Sequence, residues 1–287
     1  MNALTAAQVD QVLALAGRAA AHDGVEPLNE AAHFALRDDS AIHLFSGGDA
    51  SEGYLQWSPA YGTAQLVVDP SARRRGIGRA LAGRLADIAD GSWGLWAFGD
   101  LPPARGFAAA LGLRPGRGLL VMERTLDGVS RPVVPDGLRL RGYRPGDAEE
   151  LLRVNAEAFA HHAEQGAMDA GELAARMAEP WFDPEGLLLA FDDAGLAGFH
   201  WTKRVGTTGE VYVVGVAPRA QGRGYGRVLL DAGLAHLAST GADHVVLYVD
   251  MAEPVAVRMY ESAGFRVASR DVLYAPEHGH VQKQEQP

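Results

Sequence analysis

The residues with the clearest chemical meaning are Gln221, Gly222, Arg223, Gly224, Tyr225 and Gly226, which follow the run Val214-Gly215-Val216-Ala217-Pro218. A strand that enters a glycine-rich turn and then a helix builds an anion site. The turn's N–H groups point at the anion, and the helix dipole adds partial positive charge. Glycines at 222, 224 and 226 permit positive φ and close backbone approach. Arg223 and Arg227 place charge beside them. One such turn is weak evidence, since helices also begin this way without a ligand. Here it occurs twice. Leu66, Val67, Val68, Asp69 and Pro70 precede Arg73, Arg74, Arg75, Gly76, Ile77 and Gly78, with Gly76 148 positions before Gly224. Neither copy has the Gly-Lys-Ser/Thr of a P-loop or the Gly-x-Gly-x-x-Gly spacing of a dinucleotide site.

The elements that hold these loops repeat as well. Leu111-Gly112-Leu113-Arg114 matches Ala263-Gly264-Phe265-Arg266, with the glycines 152 positions apart. Residues 5–20 and 145–160 each read as a polar start followed by an amphipathic helix. Three landmarks in one order indicate a duplicated domain. The polar, proline-containing stretch 126–136 reads as the linker. In the second half, strands are expected at 137–143, 186–191, 195–203, 210–216, 244–249 and 265–274, with a hairpin turn at 192–195. Helices are expected at 147–159, 224–239 and 254–263. The first half follows the same plan from residue 41 but lacks a strand before its opening helix. This order gives an α/β or α+β fold.

Composition bounds the function. The 287 residues carry a net charge of -10, which repels nucleic acid and anionic membrane and tolerates cationic substrates. No cysteine is present, so disulfides, thiolate nucleophiles and cysteine-ligated zinc are excluded. His161 and His162 have no second pair at ligand spacing, and no metal is expected. No apolar run reaches the ~20 residues of a membrane span, and no signal peptide is apparent. A cytoplasmic monomer with a polar tail at 277–287 is expected. Trp93, Trp96, Trp181 and Trp201 read as packing residues.

The doubled loop resembles motif A of the GNAT acyltransferase superfamily. The resemblance covers nearly the whole chain. It implies two tandem GNAT domains, 1–127 and 137–276, joined by a linker at 128–136. Each would be a mixed, mostly antiparallel sheet flanked by helices. In that family the loop holds the pyrophosphate of acetyl-CoA, and the strand before it splays from its neighbour to admit pantetheine. The implied contacts come from Leu66, Val67, Val68 and residues 73–78 in the first copy. In the second they come from Val214, Gly215, Val216, residues 221–226, Arg227, Glu253, Ala256 and Arg258. Glu253 departs from the family pattern, which has Asn at this place.

Acyl transfer to an amine needs a base for the nucleophile and an acid for the leaving thiolate. The GNAT pattern puts the base on the strand before the loop and the acid, a tyrosine, on the helix after the next strand. Glu210 and Tyr260 occupy those places. Carried back by 148 and 152 positions, they fall on Gly62 and Ala108. Both halves are therefore expected to bind acetyl-CoA and only the second to catalyse.

Longer strings resemble the mycothiol-forming branch of the tandem GNAT enzymes. They include residues 23–30, 158–166, 181–184, 198–203, 210–216 and 247–249. The resemblance implies an acceptor of cysteine, glucosamine and inositol, acetylated on its cysteinyl amine, the last step of mycothiol biosynthesis. It implies contacts from Glu30, Asp169, Lys203, Glu210 and Tyr248. Asp169 follows Gly166-Ala167-Met168 where the branch has Gly-Gly-Trp. The competing readings are a tandem GNAT enzyme for another small amine, an aminoglycoside or a peptide N-terminus, and an acyl-CoA sensor without catalysis.

Overall fold

The computed structural model of the chain describes residues 3–47, 51–89, 93–161 and 163–277. His162 and the tail from 278 lie outside the described residues. The first half forms α1 (Ala6–Asp23), α2 (Glu30–Ala35), β1 (Ile42–Phe45), β2 (Gly53–Ser58), β3 (Thr63–Val68), α3 (Ile77–Ile88), β4 (Gly94–Ala97), α4 (Pro102–Ala110) and β5 (Leu113–Thr125). The second half forms β6 (Arg139–Gly142), α5 (Ala148–Ala158), α6 (Ala163–Gly166), α7 (Ala170–Met177), β7 (Leu187–Asp192), β8 (Gly195–Val205), β9 (Thr208–Val216), α8 (Tyr225–Ser239), β10 (His244–Asp250), α9 (Pro254–Ser262) and β11 (Arg266–Pro276). The α/β reading, with mostly antiparallel strands flanked by helices, holds. Among the described residues no strand precedes α1. The short helices α2, α6 and α7 had no sequence signal, because they are too short for helical periodicity to show.

Contacts divide the chain into two compact units, Met1–Leu119 with Ser269–Pro287, and Leu120–Ala268. In the first unit β1, β2 and β3 are antiparallel neighbours and β4 joins β3 in parallel. The place beside β4 is taken by β11, antiparallel, with Val272 opposite Ala97. The chain's last strand thus belongs with the first repeat. The latter part of β5, from Leu120, belongs with the second unit, where Leu126 N donates to Asp243 O at 2.9 Å. In that unit β6, β7, β8 and β9 are antiparallel neighbours, and β10 is parallel to β9.

Local chemistry sets the element ends. Thr5 and Gln8 form a capping box at α1, and Val12, Leu15, Ala16 and Ala19 bury one face of that helix. β9 alternates buried and partly buried residues along its length, with Val211, Val213 and Gly215 facing inward. In the second unit the core gathers Phe199, Trp201, Leu187, Leu189, Leu196 and Leu229 on one side. Leu230, Leu234, Leu237, Leu247, Tyr260 and Phe265 form another cluster. Each fully buried leucine contributes roughly 2 kcal/mol of transfer free energy. No helix among the described residues is long and apolar enough to cross a membrane.

Candidate active site

The second unit contains a fork. β9 and β10 pair at Thr208–His244, Gly209–Val245 and Glu210–Val246. β9 then continues to Val216 and β10 to Asp250, with no further pairing between them among the described residues. Val214, Gly215 and Val216 therefore line the open part of the fork, and Glu210 stands where it opens. The first unit repeats the device. β3 pairs with β4 at Thr63–Gly94 and Ala64–Leu95, while Leu66, Val67 and Val68 run past the pairing.

Both forks lead into loops of one conformation. Gly76 and Gly224 are the N-caps of α3 and α8, at φ 86° and 81°, and neither helix has a side-chain cap. Their first-turn amides are left for an anion. The first loop residues brace the strand ends alike. Arg73 Nε donates to Val68 O at 3.1 Å, and Gln221 Nε2 donates to Val216 O at 3.3 Å. Gly222 takes φ 74°, and its counterpart Arg74 takes φ 65°. A side chain in this region costs roughly 1–2 kcal/mol, so the first loop keeps the shape despite lacking the glycine. Gly78 and Gly226 serve helix packing. A Cβ on Gly226 would lie 3.5 Å from Met259 of α9, and one on Gly78 3.2 Å from Phe107 of α4.

Four of the arginines at the loops, Arg73, Arg75, Arg223 and Arg227, are ion-paired. Arg73 binds Asp23 through two bonds of 2.8 and 2.6 Å, and Arg75 reaches Glu52 at 2.8 Å. Arg223 reaches Asp192 at 3.2 Å and lies over the Tyr225 ring. Arg227 pairs with Asp231 at 2.9 Å. Without rearrangement the loops offer backbone amide and, in the first loop, the exposed guanidinium of Arg74.

Tyr260 lies on the inner face of α9, 8% exposed, with its ring edge-on to Phe265 at 5.8 Å. Burial pushes its phenol up to about 12, so it stays protonated. Its counterpart helix α4 has the same length and also starts at a proline, and Ala108 fills the matching position, buried. Gly62, the counterpart of Glu210, sits in the turn before β3 at φ 63°. The first unit has the fork and the loop but neither side chain.

Lys203 and Glu210 face each other across β8 and β9, with Nζ 3.5 Å from Oε2. Their side chains are 17% and 20% exposed. Lys203 Nζ also lies 5.2 Å from the Trp181 ring centroid and 5.4 Å from that of Tyr212. Trp181, Trp201, Tyr212 and Phe182 pack together, the closest pair being Trp181 and Tyr212 at 5.0 Å. Sequence reading gave Trp181 and Trp201 to packing. Trp201 is core, but Trp181 also supports the lysine. Tyr212 had no sequence signal of its own. It is the extra residue where the β8–β9 register shifts, with Trp201 opposite Val213 and Thr202 opposite Val211.

The remaining residues are placed as follows. Tyr248 stands on β10 two positions past the fork, 54% exposed. Asp169 is the N-cap of α7, accepting from Glu172 N at 2.8 Å. Glu30 opens α2 in the first unit, where Asn29 and Gln65 lock the helix start to β3 with bonds of 2.9 and 2.8 Å. Glu253 precedes Pro254 and makes no side-chain cap, and Ala256 and Arg258 follow on α9. Asp250 Oδ1 instead accepts from Ala252 N at 2.9 Å. Among the described residues no three acidic or histidine side chains gather as a metal site.

The model of the Acetyltransferase (GNAT) family matches residues 22–113 and again residues 150–265. The chain is 49% identical to the mycothiol acetyltransferase of Thermomonospora curvata over 95% of both chains. It is 45% identical to that of Propionibacterium freudenreichii, over 95% of this chain and 90% of the other. The chain belongs to the GNAT acetyltransferase family, in its mycothiol acetyltransferase branch. It is an N-acetyltransferase built on two GNAT repeats. A solved GCN5-related N-acetyltransferase of Sphaerobacter thermophilus superposes on it with a TM-score of 0.66 at 26% identity, covering 95% of this chain and 93% of that one. GNAT acetyltransferases use acetyl-CoA, and the uncapped first turns of α3 and α8 suit its pyrophosphate.

Proposed function

We propose that the chain transfers the acetyl group of acetyl-CoA to the cysteinyl amine of a cysteine–glucosamine–inositol conjugate, completing mycothiol. What supports this most is 49% identity over 95% of both chains to a mycothiol acetyltransferase. An α-ammonium has a pKa of ~7.7–8.0, so at neutral pH it must lose a proton before it attacks. Glu210, at the opening of the fork, accepts that proton. The C–N bond forms and the C–S bond breaks, Tyr260 gives its phenolic proton to the departing thiolate, and the proton that the acylated nitrogen sheds restores the phenol. Burial of Tyr260 favours the protonated form that this role requires.

The amides of residues 222–226 hold the pyrophosphate, with Glu253, Ala256 and Arg258 beside it, and Val214, Gly215 and Val216 hold the pantetheine. The first unit binds a second acetyl-CoA through residues 66–68 and 73–78 without catalysing. Glu30, Asp169, Lys203 and Tyr248 contact the acceptor. The enzyme works in the cytoplasm as a monomer, without nucleic acid or membrane. The test is turnover of the cysteinyl glucosamine–inositol against the same amine without inositol. A large drop in kcat/KM for the shorter amine supports the assignment. Equal values contradict it.

A further inference from the structure

Lys203 and Lys283 are the only lysines of the sequence, against 26 lysines and arginines together. Every other cation of the chain is an arginine, so the ammonium at 203 calls for a physical reason. Its surroundings supply one. An ammonium is a compact charge that sits against the faces of two rings at once, whereas a guanidinium is planar and stacks on one. Lys203 Nζ lies 5.2 Å from the Trp181 ring and 5.4 Å from the Tyr212 ring, and 3.5 Å from Glu210 Oε2. The ring of Tyr212 is therefore half of the seat that aims this charge at Glu210.

The Tyr212 ring packs on Trp181 at 5.0 Å and on Trp201 at 5.5 Å. Tyr212 is the bulged residue of β9, with no residue directly opposite on β8. Its hydroxyl is held from α7. Arg176 Nε donates to the Tyr212 hydroxyl at 3.1 Å, and Arg176 Nη1 pairs with Glu172 Oε2 at 3.2 Å. Arg176 is only 22% exposed, and a mostly buried guanidinium keeps its place through such partners. α7 is in turn fixed at its start by the Asp169 cap. A continuous chain of contacts thus runs from α7 through Arg176, Tyr212 and Lys203 to Glu210.

We infer that Arg176 is a positioning residue for the acceptor amine: by clamping the bulged Tyr212 it seats the Lys203 ammonium against Glu210. The inference rests on the proposed role of Glu210 but is read without turnover. Protein labelled with carbon-13 lysine gives two side-chain signals, and Lys203→Met assigns them. In the wild type the Lys203 Cε–Hε signal is displaced upfield from that of Lys283 by the ring currents of Trp181 and Tyr212. Arg176→Met and Tyr212→Phe each collapse at least half of that displacement, and the double variant collapses no more than either alone. Both single variants lower kcat/KM for the amine by tenfold or more and leave the KM for acetyl-CoA within twofold.

A Lys203 signal that stays displaced in Tyr212→Phe and in folded Arg176→Met overturns the inference, whatever the wild type turns over. Additive effects in the double variant, or an equal loss in acetyl-CoA binding, also overturn it. If the signal collapses as stated but the wild type does not acetylate the cysteinyl amine, the positioning role stands and the substrate assignment fails.

Discussion

Glu210 and Val246 are the last paired residues of β9 and β10 before the two strands part. The carboxylate therefore stands at the one point where a base is fixed by the ladder and still borders the opening. Glu210→Gln keeps the shape and removes the base. It is expected to lower kcat by about 10²–10⁴-fold. Acetyl-CoA affinity, measured by titration calorimetry, should stay within twofold.

Tyr260→Phe removes the acid and leaves its packing on Phe265. The expected loss in kcat is again about 10²-fold or more. The same variant has a stability signature. Burial raises the phenol to about 12 from 10.0, which favours the neutral folded form. That contribution is complete below pH 10 and is lost as pH rises from 10 to 12. Tyr54 and Tyr274 are raised as well, so the reading is the difference between wild type and Tyr260→Phe. Denaturant unfolding at pH 9 and pH 11.5 should show that difference shrink by about 1–2 kcal/mol.

His200 makes the opposite prediction on the acid side. It is fully buried on β8, Nδ1 donates to Leu229 O at 2.8 Å, and burial lowers its pKa to about 4 from 6.5. The unfolded chain takes up its proton first as pH falls, so stability is lost between pH 6.5 and 4. His200→Gln should flatten unfolding free energy over that window. The ring lies against α8 so closely that a Cβ on Gly233 would come within 2.1 Å of it. Gly233→Ala should destabilise by roughly 1–3 kcal/mol or more, read as a fall in the urea midpoint.

The order of strand, glycine turn and helix was legible twice because it rests on local chemistry. The offset of 148 carried Val216 onto Val68 and Gln221 onto Arg73, and those pairs make the same strand-end bond. The offset of 152 carried Tyr260 onto Ala108 at the same place in helices of equal length. The cage around Lys203 was not legible. It depends on a register shift at Tyr212 and on an eight-residue helix that delivers Arg176, and neither leaves a periodic trace. The placing of β11 beside β4 was hidden for a related reason. Strand pairing across 175 positions and more, as from Ala97 to Val272, is decided by tertiary contacts that no local pattern encodes. The ion pairs of Arg73 with Asp23 and of Arg223 with Asp192 likewise join distant segments.

Arg74 carries a prediction of its own. It holds φ 65° where the second loop has Gly222. Arg74→Gly should leave stability unchanged or raise it by up to about 1 kcal/mol, since relief of strain exceeds the added chain entropy. A thermal melt of the folded protein checks this.

The claim that two forks carry equivalent loops but only the second fork catalyses is tested most directly by matched substitutions at the loop caps. Gly76 and Gly224 sit at φ 86° and 81°, so alanine strains both loops alike. The measurement is steady-state kcat/KM for acetyl-CoA in Gly76→Ala and Gly224→Ala. We expect Gly224→Ala to lose about 5–30-fold, the kinetic equivalent of 1–2 kcal/mol of strain, and Gly76→Ala to stay within twofold of wild type. Equal losses, or a larger loss in Gly76→Ala, would contradict the account.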